Sequence, residues 1–230
     1  MKLRQAFGVL AATLALALGG GSVQAYVVYS NTNTDLGVNF NTGSLLIGDE
    51  ITLAGSARYI TNFQFQYYLL SPNGTEQMEV QFYQNNGPTN IDGTFDPGTV
   101  FFDSGKFNIA GTSRSTLDFD LTALETGNLM NLSPSTIAPD DFTFAIQIFN
   151  ATNGADGGVS LYSPPTVGGD FYDYWQSNAV GGWTLMTNGT YPINIGAEIE
   201  AAPEPAPVAL FGLGGLAVVG LALRRRMARQ

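Results

Sequence analysis

Hydrophobic and polar residues alternate with a period of two through much of the chain between Tyr26 and Ala202. From Tyr59 to Leu70, Phe63, Phe65, Tyr67 and Leu69 alternate with Asn62, Gln64, Gln66 and Tyr68. Beyond Pro72-Asn73-Gly74, Met78, Val80 and Phe82 alternate with Gln77, Glu79 and Gln81. Successive side chains of a strand point to opposite faces, so each run predicts a strand with one buried and one wet face. The turn-forming triplet between the two runs predicts an antiparallel hairpin. The same pattern recurs in Leu117, Phe119 and Leu121, in Phe142, Phe144, Ile146 and Ile148, and in Ile193, Ile195, Ala197 and Ile199. Shorter strands are expected at Tyr26–Tyr29, at Thr99–Phe102 and on both sides of a Gly48-Asp49-Glu50 turn, with an Asn/Thr-rich loop reaching about Gly43. The one helical stretch, Thr122–Met130, is short and weakened by Gly127. About ten short strands, frequent Gly/Asn/Pro turns and no sustained helical period predict an all-β fold, an antiparallel β-sandwich with jelly-roll-like character.

The two ends read differently. Met1-Lys2-Leu3-Arg4 is basic, Phe7–Leu18 is apolar, and Val23-Gln24-Ala25 has the small-x-small form of a cleavage site. Residues 1–25 are therefore expected to be a signal peptide handled by the Sec machinery and cut by signal peptidase between Ala25 and Tyr26. At the other end, Val208–Leu223 is a run of 16 residues without a charge. As a helix it would span about 24 Å, a short single transmembrane helix against a hydrocarbon core of about 30 Å. Arg224, Arg225 and Arg226 follow it. Such a cluster stays on the cytoplasmic side and sets the body, residues 26–202, on the far side. Pro203-Glu204-Pro205 interrupts regular structure just before the span.

Taken in that order, Pro203-Glu204-Pro205, a Gly-rich span and an Arg cluster at the C-terminus closely resemble the PEP-CTERM sorting signal of Gram-negative bacteria. The resemblance covers residues 203–230. It implies an exosortase as partner, a membrane-embedded cysteine protease cutting near the Pro-Glu-Pro motif. An inner-membrane intermediate would precede delivery to the outer cell surface or extracellular matrix, in the company of exopolysaccharide and biofilm. The stretch from Gly48-Asp49-Glu50-Ile51 through Tyr59–Tyr68 resembles the choice-of-anchor families, type R. That second resemblance implies a β-sandwich ectodomain ahead of a surface anchor, and no particular chemistry.

Composition narrows the chemistry. The body carries 18 acidic residues against Arg58, Lys106 and Arg114, a net charge of −15. Nucleic acid and anionic membrane surfaces repel such a body. The chain contains no Cys and no His. Disulfides cannot staple the fold, zinc and copper lose their usual ligands, and Ser-His-Asp and Cys-His catalysis are excluded. Asp118-Phe119-Asp120-Leu121-Thr122 fits an Asp-x-Asp-x-Thr phosphohydrolase pattern, but its alternation reads as two carboxylates on the wet face of a strand. No Gly-rich phosphate loop is present.

Two candidate sites remain. Asp92, Asp96 and Asp156 lie in loop sequence of the oxygen-rich kind that calcium accepts, although turn formation also explains them. Tyr172, Asp173, Tyr174, Trp175 and Trp183 form the densest aromatic region, where rings could stack on sugar CH faces beside hydrogen-bonding groups. The alternative for this region is an aromatic strand buried in the sandwich. The expected function is non-enzymatic: an exported structural or adhesive protein of the surface or matrix that needs no cofactor, calcium entering only as a candidate structural ion. A calcium-assisted carbohydrate-binding module and a carboxylate-dependent glycoside hydrolase are the alternatives, the latter with no assignable acid pair.

Overall fold

A computed structural model describes residues 24–89, 93–122, 137–151, 156–177 and 181–203. Within the compact unit Ala25–Ala202 these residues form fourteen strands. They are β1 (Tyr26–Ser30), β2 (Asp35–Asn41), β3 (Ile47–Thr52), β4 (Tyr59–Leu69), β5 (Gln77–Gln84), β6 (Val100–Asp103) and β7 (Phe107–Asn108). There follow β8 (Thr112–Asp120), β9 (Asp141–Phe149), β10 (Gly157–Tyr162), β11 (Gly169–Asp170), β12 (Asp173–Ser177), β13 (Trp183–Thr187) and β14 (Ala197–Ala202). The predicted helix at Thr122–Met130 lies outside the described residues from 123 onward, as do the predicted signal peptide up to residue 23 and the predicted span 208–223.

The strands make two sheets, and every pairing between them is antiparallel. The first sheet runs β1-β14-β4-β10-β2, with β8 along the opposite edge of β4. The long strand β4 is its spine, pairing with β14 over Tyr59–Phe65 and with β10 over Tyr67–Leu69. The second sheet runs β13-β12-β3-β9-β5-β6, with β11 also on β3 and β7 also on β5. β1 and β14 lie side by side, Tyr26 opposite Ala201, so the two ends of the body leave it together.

One hydrophobic core fills the space between the sheets. At its centre Phe63 and Phe65 of β4 meet Phe82 of β5 and Phe144 of β9. The Phe63 ring centroid lies 5.0 Å from Phe82, edge to face, and 5.3 Å from Phe144. Each such pair contributes roughly 0.5–1.5 kcal/mol beyond the area it buries. With no Cys in the chain, the fold's stability must come from this core without any disulfide.

Three expectations need correction. β4 and β5 are not a hairpin: they belong to different sheets, and residues 70–76 carry the chain across the core. The crossing is shaped by the Glu76 carboxylate, which accepts the backbone N–H of Asn73 at 2.6 Å and of Gly74 at 2.9 Å. Gly48-Asp49-Glu50 is not a turn but the middle of β3, opposite Ala145, Phe144 and Thr143 of β9. A Cβ at Gly48 would meet Thr143 Cγ2 at 2.6 Å and Trp175 Cβ at 3.3 Å, so the glycine serves strand packing. The Asn/Thr-rich loop contains β2, whose side chains are alternately half-buried and exposed along this edge strand.

Candidate functional site

β12 and β13 pair at the edge of the second sheet, Asp173 opposite Thr187 at one end and Ser177 opposite Trp183 at the other. Because alternate residues face opposite ways, Tyr174 and Trp175 are both buried but in different surroundings. Tyr174 turns into the core, where its ring meets Phe40 edge to face at 5.2 Å. Trp175 turns to the other face of the sheet, over Gly48, and is fully buried there. Its indole N–H donates to Glu50 Oε2 at 3.1 Å. Burial raises the proton affinity of Glu50, and the indole N–H partly offsets this by favouring the ionised form. Of the five aromatic-region candidates, Tyr174 and Trp175 thus spend their rings on packing. Tyr172 is 72% exposed, while Asp173 and Trp183 are half-buried.

A cleft of about 400 Å³ opens at the Trp183 end. Its walls include Trp183, Tyr83, Pro88, Pro97, Asp96 and Ser177. Trp183 stands edge to face on Tyr83 with centroids 5.2 Å apart, which fixes the indole orientation. Burial, followed by the nearby charges of Asp103 and Glu79, pushes the Tyr83 phenol up to about 12, so it stays a neutral hydroxyl. The opposite wall is a folded-back loop. Gly87 N–H donates to the Asp96 carbonyl and Asp96 N–H to the Pro88 carbonyl, each at 2.9 Å. The Asn86 side chain ties the loop's return at Thr99 N–H, 2.8 Å away. A second, shallower depression of about 250 Å³ at the far end of the β12–β13 pair has Tyr172, Tyr191 and Pro192 in its walls.

Aromatic and prolyl walls with a carboxylate and a hydroxyl suit the mixed surface of a neutral sugar: CH faces on the rings, hydroxyls on the polar groups. The structure thus gathers Trp183 and Asp96, from two separate sequence-based sites, into one cleft. Tyr83 and Ser177 were not singled out from the sequence. Tyr83 sits in an ordinary alternating strand, and nothing in its neighbours marks it as a cleft wall.

The predicted calcium residues are placed apart. Asp96 precedes β6 in the second sheet, whereas Asp156 precedes β10 in the first, its carbonyl accepting Leu70 N–H. Asp92 lies outside the described residues. Among the described residues no group of three or more carboxylates is arranged to hold a metal ion. Asp118 and Asp120 stand exposed on β8. Asp118 accepts from the Asn62 amide at 2.6 Å, and Asp120 caps its own turn through Thr122 N–H. Tyr26 opens β1 and Ala25 immediately precedes it, while Pro203 follows the last residue of β14. Glu204, Pro205, Arg224, Arg225 and Arg226 lie outside the described residues, and among the described ones no helix is long and apolar enough to cross a membrane. Compared with protein-family models, curated proteins and solved structures, the chain finds no match.

Proposed function

We propose that this chain is an exported, non-enzymatic component of the cell surface or extracellular matrix. Its β-sandwich body, jelly-roll-like in character, contacts neutral exopolysaccharide through the cleft at Trp183. The observation that carries the contact is the cleft itself, in which Trp183 is braced by Tyr83 beside Asp96 and Ser177. Export rests on the signal-peptide pattern ending at Ala25, and sorting by an exosortase on Pro203-Glu204-Pro205, the apolar run and the Arg cluster. The strands support this division of labour, because the paired body begins with β1 at Tyr26 and ends with β14 at Ala202.

The test is retention on the host's exopolysaccharide, by affinity electrophoresis, for the wild type and the Trp183→Ala and Tyr172→Ala variants. Trp183→Ala is expected to lose most of the retardation while unfolding within a few degrees of the wild type, since its ring is half-buried. Tyr172→Ala reports on the second depression. Unchanged mobility for both variants would remove the glycan reading. For sorting, deletion of Pro203–Pro205 should leave an uncleaved, membrane-held chain by intact mass. A mature mass identical to that of the wild type would exclude the exosortase step.

A further inference from the structure

Asp49 and Asn194, both fully buried, and the partly buried Asp170 form a polar cluster at the seam between the two sheets that the glycan reading does not use. Asp49 lies on the inward row of β3, between Ile47 and Ile51, and is 0% exposed. Asp170, on β11, is the cross-strand partner of Ile51 and so faces the same way. From the other sheet's side come Tyr29 on β1, whose hydroxyl donates to Asp170 Oδ2 at 3.3 Å, and the Asn194-Ile195 segment. Ile195 N–H donates to Asp49 Oδ2 at 2.7 Å, and this holds the segment against β3.

That leaves three atoms without a partner: Asp49 Oδ1 and both the oxygen and the nitrogen of the Asn194 side chain, which is also 0% exposed. Buried polar groups are nearly always satisfied, and a buried carboxyl needs a proton or a counter-charge. No cationic side chain of the body supplies one. Arg58 pairs with Asp140, Arg114 pairs with Asp35, and Lys106 sits over the Phe149 ring. Burial, and then the charge of Asp170, hold the Asp49 carboxyl well above the usual carboxylate range, but a proton on Asp49 would still leave the unpartnered Asn194 amide unexplained. Asp49 and Asp170 each feel burial first, and Asp49 also feels the negative charge of Asp170. The Asn194 amide lies close enough to Asp170 to ease its ionisation, although it reaches no hydrogen-bonding geometry. Asp49, Asp170 and Asn194 are therefore neighbours, and their unpartnered polar atoms lie in one region between the sheets.

We propose that Asp49, Asp170 and Asn194 hold a calcium ion that ties the two sheets together. The donors are all hard oxygens, which favours calcium or magnesium over the softer-ligand metals. Calcium is the better fit of the two because it accepts irregular geometry and completes its shell with backbone carbonyls and water, whereas magnesium demands a near-ideal octahedron. The ion would replace the counter-charge that the body's sequence lacks and bridge elements that no disulfide can join. This inference rests on the pocket's own residues and stands whether or not the cleft binds a glycan.

The chain is purified from its host, stripped with EDTA and returned to calcium chloride, with bound metal counted by mass spectrometry and unfolding followed by circular dichroism. The expected result is a single calcium per chain and a Tm rise of roughly 5–10 °C at a hundredfold excess of calcium over its dissociation constant. Asp49→Asn keeps an acceptor for Ile195 N–H and so keeps the fold, but should lose both the ion and the rise. Asp170→Asn, on the short β11, should do the same and decides the matter if Asp49→Asn fails to fold. No bound calcium in the wild type overturns the proposal. A calcium response retained in Asp170→Asn also overturns it, by placing the ion elsewhere.

Discussion

Replacing Trp175 by Phe separates a packing role for this residue from a ligand-stacking one, and its cost can be worked from the geometry. The indole ring is fully buried, and its N–H reaches Glu50 Oε2 at 3.1 Å. A hydrogen bond to an ionised group contributes about 1.5–3 kcal/mol. Glu50 is only half-buried, so solvent screening brings this down to about 1 kcal/mol. The smaller phenyl ring adds roughly 1 kcal/mol for the space it leaves. The total is about 2 kcal/mol at neutral pH, half of it dependent on the charge of Glu50. Burial already raises the proton affinity of Glu50, and losing the indole N–H raises it further. A carboxylate whose folded-state proton affinity is raised contributes stability below its ordinary value, near 4.5, and loses it as pH rises through the folded value. The variant loses more than the wild type, so the gap between them should be about 1 kcal/mol at pH 4 and about 2 kcal/mol at pH 8. Guanidinium denaturation followed by circular dichroism at both pH values measures it. Glu50→Gln should remove the pH dependence of the gap. An equal cost at pH 4 and pH 8 would refute the charge-assisted bond, and loss of polysaccharide retention without loss of stability would refute the packing role.

Other substitutions probe the rest of the frame. Phe63→Ala removes the ring that joins β4 to Phe82 and Phe144 and should cost about 3–5 kcal/mol by chemical denaturation, while Phe171→Ala, at a ring 48% exposed, should cost well under half of that. Gly158→Ala would drive a Cβ onto the carbonyl of Phe40, forcing β10 from β2; a loss of about 1–3 kcal/mol and faster amide exchange across Asp35–Asn41 are expected. Burial pushes Asp170 up to about 6, so calcium-free protein should be most stable below about pH 4 on this group's account and lose that contribution as pH rises through 6, by about 1 kcal/mol after allowance for its partial exposure. In chelator, Asp170→Asn should flatten the fall in Tm between pH 4 and pH 6.5, and an unaltered profile would show that the fall comes from other acids.

Period-two alternation made the long strands legible. The Phe63-Phe65-Tyr67-Leu69, Met78-Val80-Phe82 and Phe142-Phe144-Ile146-Ile148 rows all turn to one core, as their spacing requires. What alternation cannot express is which rows are neighbours and which face each other. β4 and β5 look the same whether they pair in one sheet or oppose each other across 5.0 Å of ring contact. Local propensity misled in the other direction at Gly48-Asp49-Glu50, where turn-forming residues sit mid-strand. There the glycine answers to Trp175, more than a hundred residues away, and the aspartate to Ile195. The site divides the same way. Aromatic density drew attention to Tyr172–Trp175 and to Trp183, but only the register of β12 and β13 decides which rings are spent on packing. Asp96 joins Trp183 in the cleft through a loop whose backbone bonds no composition rule displays.

The charge of the body then constrains what its cleft and its seam can do. All three cations are already engaged: Arg58 with Asp140 at 2.6 Å, Arg114 with both oxygens of Asp35, and Lys106 3.8 Å from the Phe149 ring centroid. Two of these engagements draw on charges at the surface, where ion pairs contribute little and salt weakens them further. The remaining acids repel one another and load the folded state with a penalty that only solvent cations can relieve. An uncharged polysaccharide meets no such barrier at Trp183, because ring stacking and hydroxyl bonds need no counter-charge. An anionic one must bring its own cations or be excluded. The same shortage operates at Asp49, where no side chain can neutralise the carboxylate. A surface that repels anions and a seam without a side-chain cation are thus two results of one sequence feature: a body of 18 acids with three bases, each already committed.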